Sequence, residues 1–304
     1  MLLRGILLAL VAGVSGCANG GAAAAPRAVT VAPERLPEGG ASGAAAMRVG
    51  NAAQLPKTAR QALDQALDHY LQGRPGRTAV SVQDLTTGVR YAFHEERSFM
   101  LASVAKVDIL LALLLRAQRE HRQLDAHERA LADRMIRFSD NECAHDLYVA
   151  IGGQAGLTRT LHRLGVRDTR PGTGRFWGST RSNPSDQVKV LGVLTDPDGP
   201  VSAANRRYAL GLMSSVTPNQ AWGVSAAGGQ VALKNGWLPA EAHGGLWTIN
   251  SVGRLLVADH ELLIAVLSER SPDMPTGIAT VERVAGLAVK RFTGARAHVT
   301  ALGR

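Results

Sequence analysis

The 304-residue sequence contains only two cysteines, Cys17 and Cys143, which excludes a disulfide-stapled scaffold and a cysteine-rich zinc module. Aromatic residues make up 4% of the chain, and no run of five Lys or Arg occurs, although the formal net charge is +9. Nucleic-acid binding usually relies on clustered basic residues and aromatic stacking platforms, so we expect no nucleic-acid partner. The scattered charge instead indicates a solvated positive surface, which anionic lipid or cell-wall polymer can attract.

No part of the sequence stays apolar for the ~20 residues that a membrane-spanning helix needs. An apolar stretch at residues 6–14 follows a positive charge at Arg4 and has the length of a secretory signal. It ends in the tripeptide VSG immediately before Cys17, and small residues before a cysteine resemble the lipobox of bacterial lipoproteins. The resemblance implies cleavage after residue 16 and a lipid on Cys17. The alternative is an ordinary signal peptide that is cleaved within residues 22–25.

These features divide the chain into three predicted parts. Residues 1–16 form a lipoprotein signal peptide, and residues 17–54, rich in Ala, Gly and Pro, form a flexible tether. Residues 55–295 form the folded domain. We therefore expect an exported, monomeric protein that is anchored to the cell membrane by its lipid and faces the cell exterior or the periplasm.

The folded part predicts an α+β architecture. Apolar periodicity indicates a helix, two strands joined by a tight turn, a long block of helices, three more strands and a closing helix. The five predicted strands span residues 78–85, 89–94, 230–234, 245–252 and 261–267. This order favours one antiparallel sheet shared by both ends of the chain, with a helical lobe inserted between them. A cleft between such a sheet and lobe is a common place for a site.

The first candidate motif, Ser103-x-x-Lys106, lies at the start of the most apolar predicted helix, residues 104–118. Residues three apart on a helix face the same side, so the Lys106 amine can lie beside the Ser103 hydroxyl. A serine hydroxyl becomes a nucleophile when a neighbouring base takes its proton, and a desolvated lysine can be that base. Taken alone the motif is weak, because a helix-capping serine and a solvated lysine also explain it.

The second motif, the rarer tripeptide SDN, contains Ser139 and Asn141. A hydroxyl at Ser139 that faces Ser103 can relay a proton to a leaving group. Asn141 can hold Lys106 and a substrate amide in place. The alternative is that Ser139 or the next residue caps the following helix.

The third motif is the segment KNGW, which begins at Lys234 on a predicted strand. Lys234 can supply positive charge near a substrate carboxylate, and Gly236 can let a ligand approach the strand backbone closely. The backbone N–H groups of Ser103 and Trp237 can form an oxyanion hole. The alternative is a polar strand end that runs into a turn.

In this order, the three motifs resemble those of the serine β-lactamases and penicillin-binding proteins, most closely the class A β-lactamases. The resemblance implies a β-lactamase-like fold over about residues 53–293, without cofactor or metal. It also implies that Ser103 is the acylated nucleophile, that Lys106 activates it and that Ser139 relays the proton. The expected contacts to a β-lactam or a D-Ala-D-Ala-like peptide are Asn141, Lys234, Asn235, Gly236 and Trp237.

Three departures from the class A pattern bear on the expected activity. Asn235 stands where Thr or Ser is usual, although its amide can still donate to a carboxylate. Only 36 positions separate Ser103 from Ser139, which indicates that one wall of the cleft is missing. No glutamate occurs from Cys143 to Ala240, where class A enzymes place the glutamate that activates the deacylating water. We therefore expect an acyl-enzyme that deacylates slowly.

Two other functions remain open at this point. One is a catalytically inactive, ligand-binding lipoprotein on the same scaffold, which Asn235 and the missing glutamate favour. The other is a penicillin-binding protein of the D,D-peptidase type. A metal enzyme and an α/β-hydrolase are disfavoured, because the nine histidines show no metal-ligand spacing and no G-x-S-x-G segment occurs.

Overall fold

A computed structural model describes residues 53–294 of the chain. The predicted signal peptide, Cys17 and most of the predicted tether lie outside the described residues, so these assignments stay predictions. The last two residues of the predicted tether, Ala53 and Gln54, form a short strand. The folded domain therefore includes two residues more at its start than the sequence analysis assigns to it.

Within residues 53–294, the main sheet has six strands, in the order β1-β3-β2-β8-β7-β6. The strands of the described chain are β1 (Ala53–Gln54), β2 (Arg77–Asp84), β3 (Val89–Phe93), β4 (Phe99–Met100), β5 (Arg181–Ser182), β6 (Gln230–Pro239), β7 (Trp247–Val257) and β8 (His260–Ser271). The five predicted strands form the expected antiparallel core of this sheet. The sixth strand, β1, was not predicted; it pairs in parallel with β3. Strands β4 and β5 form a separate two-stranded ribbon.

Helices make up both of the layers that cover the sheet. They are α1 (Lys57–Leu71), α2 (Ala105–Arg119), α3 (Ala126–Arg137), α4 (Asn141–Ala150), α5 (Gly153–Arg163), α6 (Pro184–Thr195), α7 (Ala203–Met213) and α8 (Met274–Thr293). Helices α1 and α8 pack together on the sheet, and α2 to α7 form the inserted lobe. The predicted α+β fold is confirmed. No helix within residues 53–294 has the length and apolar character to cross a bilayer.

The central strand β8 shows how the sequence builds both cores. Successive strand residues point to opposite faces of a sheet. Ile264 and Val266 pack into the core beneath α1 and α8, whereas Ala265 and Leu267 pack into the core of the helical lobe. A strand buried on both faces needs apolar residues at nearly every position, and β8 reads Leu-Leu-Ile-Ala-Val-Leu over residues 262–267. This rigid layer positions the edge strand β6 against the start of α2.

Candidate active site

A single 3-10 turn immediately before α2 carries Ser103. Ala102 has a left-handed backbone conformation, with φ of 50°, which costs a non-glycine residue roughly 1–3 kcal/mol. The turn is held by hydrogen bonds to Leu101, whose N–H donates to Thr180 O over 2.8 Å and whose carbonyl accepts from Asn250 Nδ2 over 3.1 Å. Neighbouring elements thus hold the strained turn and fix the position of Ser103.

Lys106 lies one turn further along α2, with none of its surface exposed. Its Nζ atom is 3.0 Å from Ser103 Oγ and 2.9 Å from Ser139 Oγ. The same Nζ is 2.8 Å from Asn141 Oδ1. Four residues that the sequence analysis selected therefore meet around one amine.

Burial lowers the pKa of Lys106 from its ordinary 10.5 to about 7, and the nearby Asp140 carboxylate opposes this shift. The ring of Trp177 lies 5.1 Å from the amine and helps to keep water away. A large fraction of Lys106 is therefore neutral near pH 7. A neutral amine 3.0 Å from Ser103 Oγ can accept the hydroxyl proton.

Ser139 lies just before α4 and joins the Lys106 amine to a second lysine. Its backbone is left-handed, with φ of 58°, and its Oγ is 3.1 Å from Lys234 Nζ. Burial lowers the pKa of Lys234 well below its ordinary value, and the nearby charge of Lys106 lowers this pKa further. The neighbouring Asp140 caps α4 by accepting from Cys143 N, so the capping alternative applies to Asp140 and leaves the Ser139 hydroxyl free for the lysines.

The structure places Asn235 away from the predicted substrate contact. Its side chain is buried, and Nδ2 donates to Gln220 O over 2.8 Å and to Trp222 O over 2.9 Å. Both amide hydrogens are thus used to tie β6 to the loop that precedes it. This corrects the expectation that the amide donates to a substrate carboxylate.

Gly236 also has a different role from the one expected. A Cβ atom built at this position would lie 2.9 Å from Ser103 N and 2.8 Å from Val104 N. The group that this structure brings close to the strand at Gly236 is the backbone of the nucleophile turn. The missing side chain lets β6 and the start of α2 pack directly against each other.

A cleft of about 560 Å³ opens above Ser103. Its walls are the start of α4, the loop at residues 174–179, the end of β6 and the segment that follows β6. Of the predicted residues, Ser103, Asn141 and Trp237 line this cleft, whereas Lys106 and Lys234 are buried beneath it and contact the half-buried Ser139. The arrangement is a nucleophile at the floor of an open cleft, with its proton network in the protein interior.

Sequence reasoning missed several residues that line the cleft, among them Glu142, His145 and Arg175. Glu142 pairs with Arg175 at 2.9 Å, but both side chains are mostly exposed, so the pair contributes little stability. His145 has a buried Nδ1 without a hydrogen-bond partner among the described residues. The spacing of His145 four residues after Asn141 puts both on one face of α4, and this signal could have found it.

The loop that would carry a class A glutamate presents Trp177 to Lys106 instead. The two acids that flank this loop point elsewhere. Asp168 accepts from Asn183 at 3.3 Å and lines a separate surface pocket. Asp186 is buried and accepts from Lys189 at 2.9 Å. None of the described residues of the loop therefore brings a carboxylate to the amine.

Comparison with known proteins gives the family. The model of the Beta-lactamase enzyme family matches residues 61–129 and 128–292. The chain belongs to this family.

Solved β-lactamase structures share the fold of this family member. The TLA-1 extended-spectrum β-lactamase superposes with a TM-score of 0.70 at 16% identity, covering 77% of this chain and 99% of the other. A class A β-lactamase from Bacteroides cellulosilyticus superposes with a TM-score of 0.68 at 17% identity, covering 78% and 99%. At these identities the likeness shows a class A β-lactamase-like fold.

A relative in Mycobacterium tuberculosis (strain ATCC 25618 / H37Rv) carries the name "Putative lipoprotein LppW". It is 28% identical over 264 residues, which cover 84% of this chain and 78% of the relative. This β-lactamase-family chain is thus similar along most of its length to a protein named as a putative lipoprotein.

Proposed function

We propose that this β-lactamase-family protein is a serine hydrolase that works through an acyl-enzyme on Ser103. The observation that carries the proposal is the distance of 3.0 Å between Lys106 Nζ and Ser103 Oγ, together with the lowered pKa of Lys106. Such a pair has the geometry of an activated nucleophile and its base. β-Lactams and D-Ala-D-Ala-like peptides are the substrates that the family resemblance suggests.

Acylation begins when Ser103 Oγ attacks the carbonyl carbon of the substrate and its proton moves to the Lys106 amine. The carbonyl oxygen becomes an oxyanion, which the backbone N–H groups of Ser103 and Trp237 stabilise. Ser103 lies in the turn that starts α2 and Trp237 lies on edge strand β6, positions where some N–H groups have no partner within the helix or the sheet, which supports this assignment.

The leaving group departs when its bond to the carbonyl carbon breaks. The Ser139 hydroxyl gives a proton to the leaving nitrogen or oxygen and takes one from Lys106, whose Nζ is 2.9 Å away. The product of this step is an ester between Ser103 and the acyl group. Water then hydrolyses the ester to a free acid and restores the Ser103 hydroxyl.

Release of the acyl group is expected to be slow. General-base help to the attacking water is worth roughly 10²–10⁴-fold, and the described loop residues bring Trp177, with its ring 5.1 Å from Nζ of Lys106, and no carboxylate to the amine. This supports a protein that behaves more like a penicillin-binding protein of the D,D-peptidase type than like an efficient β-lactamase.

The test is intact-protein mass spectrometry of the full chain after exposure to a fluorescent penicillin and to p-nitrophenyl butyrate. We expect one acyl adduct on the wild type and none on Ser103→Ala. Ser214→Ala, at an exposed serine after α7, is the matched control and should label like the wild type. Equal labelling of Ser103→Ala would overturn the proposal.

A non-catalytic, ligand-binding role is the second candidate. The observation that favours it is the same replacement of an expected carboxylate by Trp177 beside Lys106. Under this alternative, neither the penicillin nor the ester acylates wild-type Ser103, although the cleft still binds ligands reversibly.

We also propose that the protein is exported and anchored to the membrane through a lipid on Cys17. The lipobox-like sequence before Cys17 supports this location, and so does the name of the mycobacterial relative. The domain would then work outside the cytoplasmic membrane, facing the cell exterior or the periplasm.

A further inference from the structure

Lys234 has no N–H group left for a substrate carboxylate. Its side chain is fully buried, and its Nζ contacts Asn235 O at 3.0 Å, Ser139 Oγ at 3.1 Å and Gln220 Oε1 at 3.4 Å. Even a protonated amine has only three hydrogens to donate, and three protein acceptors surround Nζ of Lys234. A carboxylate in the cleft would have to displace one of these contacts to reach the lysine.

The residue after Lys234 cannot replace it. Asn235 gives both amide hydrogens to the backbone carbonyls of Gln220 and Trp222, at 2.8 and 2.9 Å. The only atom of this amide that lacks a partner among the described residues is Oδ1, an acceptor, which is buried. An acceptor oxygen repels a carboxylate.

The other described residues that line the cleft do not supply a spare cation. Arg175 lines the cleft but is paired with Glu142, through contacts of 2.9 and 3.1 Å. A second carboxylate, Glu241, lines the cleft as well. The walls thus carry at least as much negative as positive charge, apart from the titratable His145.

Apolar side chains provide most of the remaining contact surface. The end of β6 contributes Trp237 and Leu238, and the opposite loop contributes Phe176 and Trp177. Phe176 is 74% exposed, which is unusual for a phenylalanine and marks a surface for apolar contact. The ring of Trp237 packs edge-on against the ring of Trp222, with the two ring centroids 5.8 Å apart.

We infer that the site takes neutral acyl donors, esters or amides with an apolar acyl group and no carboxylate beside the scissile bond, in preference to carboxylate-bearing β-lactams and peptides. The inference rests on the proposed acyl-enzyme function. For an ester, Ser103 replaces the alcohol at the carbonyl carbon, the alcohol leaves with a proton, and water later releases the acid. No co-reactant other than water is needed.

The test compares benzylpenicillin with its methyl ester, two compounds that differ only in the carboxylate. The acylation rate constant of Ser103 is measured on the full chain for each compound and divided by that compound's own rate of alkaline hydrolysis. We expect the methyl ester to react at least as fast as the acid. A site that binds the carboxylate would instead favour the acid by roughly 10- to 100-fold.

Arg175→Gln completes the design, because Arg175 is the one guanidinium among the described lining residues. We expect the ratio of the benzylpenicillin rate to the methyl ester rate in Arg175→Gln to stay within about twofold of the wild-type ratio. A tenfold preference for the acid in the wild type would overturn the inference, and so would an acid-to-ester rate ratio that is tenfold lower in Arg175→Gln than in the wild type.

The ester p-nitrophenyl butyrate separates this inference from the proposed function. If the butyrate ester acylates Ser103 but benzylpenicillin reacts at least tenfold faster than its methyl ester, only the inference on substrate class fails. If neither penicillin nor the butyrate ester acylates Ser103, the proposed function fails, and the inference fails with it.

Discussion

Lys106 and Lys234 share one hydroxyl group, since their Nζ atoms lie 2.9 and 3.1 Å from Oγ of Ser139. Both lysines are fully buried, and each proton on one makes a proton on the other more costly. The pair therefore holds fewer than two protons near neutral pH. This shared hydroxyl is what would allow a proton to travel from Ser103 through Lys106 to the leaving group.

The acylation rate of Ser103 should depend on pH through Lys106. Below a pH of about 7 the amine holds its own proton and cannot take the one from Ser103, so the rate should fall about tenfold per pH unit. Above pH 7 the rate should level off. Lys106→Arg keeps the positive charge at all pH values, and its labelling should be slow and independent of pH. A wild-type rate that is constant from pH 5 to 9 would contradict this prediction.

Gly236→Ala should disrupt the nucleophile turn. The added Cβ would lie 2.9 Å from Ser103 N, closer than real Cβ contacts allow, so the turn or β6 must shift. We expect a loss of about 1–3 kcal/mol in the free energy of unfolding and at least a tenfold slower acylation. Gly286→Ala, on α8 with open space around it, is the control and should be neutral or stabilising. Equal stability and equal acylation rates of the two variants would show that the close packing of β6 on the Ser103 turn is unimportant.

Asp108→Asn should remove a pH dependence of stability. Asp108 is fully buried on α2, and burial raises its pKa from 3.8 to about 8. Between about pH 4 and 8 the folded protein thus holds a proton that the unfolded chain has released, so wild-type stability falls as pH rises, by up to about 1.4 kcal/mol per unit. The variant should match the wild type near pH 4 and exceed it by a few kcal/mol near pH 8. If the denaturant midpoints of the wild type and the variant changed in parallel from pH 4 to pH 8, the prediction would be wrong.

The acyl adduct on wild-type Ser103 should persist for minutes or longer after excess reagent is removed. A carboxylate in the loop opposite Lys106 should shorten the lifetime of the adduct, and Phe176 offers an exposed position in that loop. We expect Phe176→Glu to release the acyl group faster than the matched variant Phe176→Gln. The measurement is the decay of the adduct mass with time. Clearance from the wild type within milliseconds would mean that another group, such as His145, already serves as the base.

Cys17→Ser should abolish lipid attachment. Metabolic labelling with an alkyne analogue of palmitate should tag the wild type and leave the variant unlabelled. Cys143→Ser is the control, because Cys143 is buried on α4 and should not affect labelling. Equal label in the Cys17→Ser variant would point to an ordinary secreted protein.

The local patterns predicted the elements well where periodicity is strong. The hairpin of β2 and β3 and the buried helix α2 lie within a residue or two of the predicted bounds, because alternation and an unbroken apolar run leave little choice. Strand β6 is different. The predicted strand ends at residue 234, and the sequence Asn235-Gly236 that follows is a common turn signal, yet pairing with β7 continues to Pro239. Pairing with a long neighbouring strand overrides the local turn preference.

The candidate site was predictable as a set of residues but not as a set of roles. Spacing along α2 placed Lys106 beside Ser103, and the resemblance of the three motifs to those of the serine β-lactamases implied that Ser139 joins them. The partners of Asn235, in contrast, are the carbonyls of Gln220 and Trp222, in a loop whose path depends on tertiary packing. No local pattern in the sequence indicates where that loop runs, so the direction of the Asn235 amide could not be read from it.

The pairing of β2 with β8 has a consequence for how the protein is made. These neighbours come from opposite ends of the domain and pair over eight residues, from Arg77 with Glu269 to Asp84 with Leu262. During synthesis, the β2–β3 hairpin emerges early, and the edge of β2 that pairs with β8 stays unpaired until β8 has been made. The turn of Ser103 likewise lacks the strand that packs against it until β6 has been made. A nascent chain that ends before Gln230 thus presents an open strand edge and carries its nucleophile without the support that fixes it.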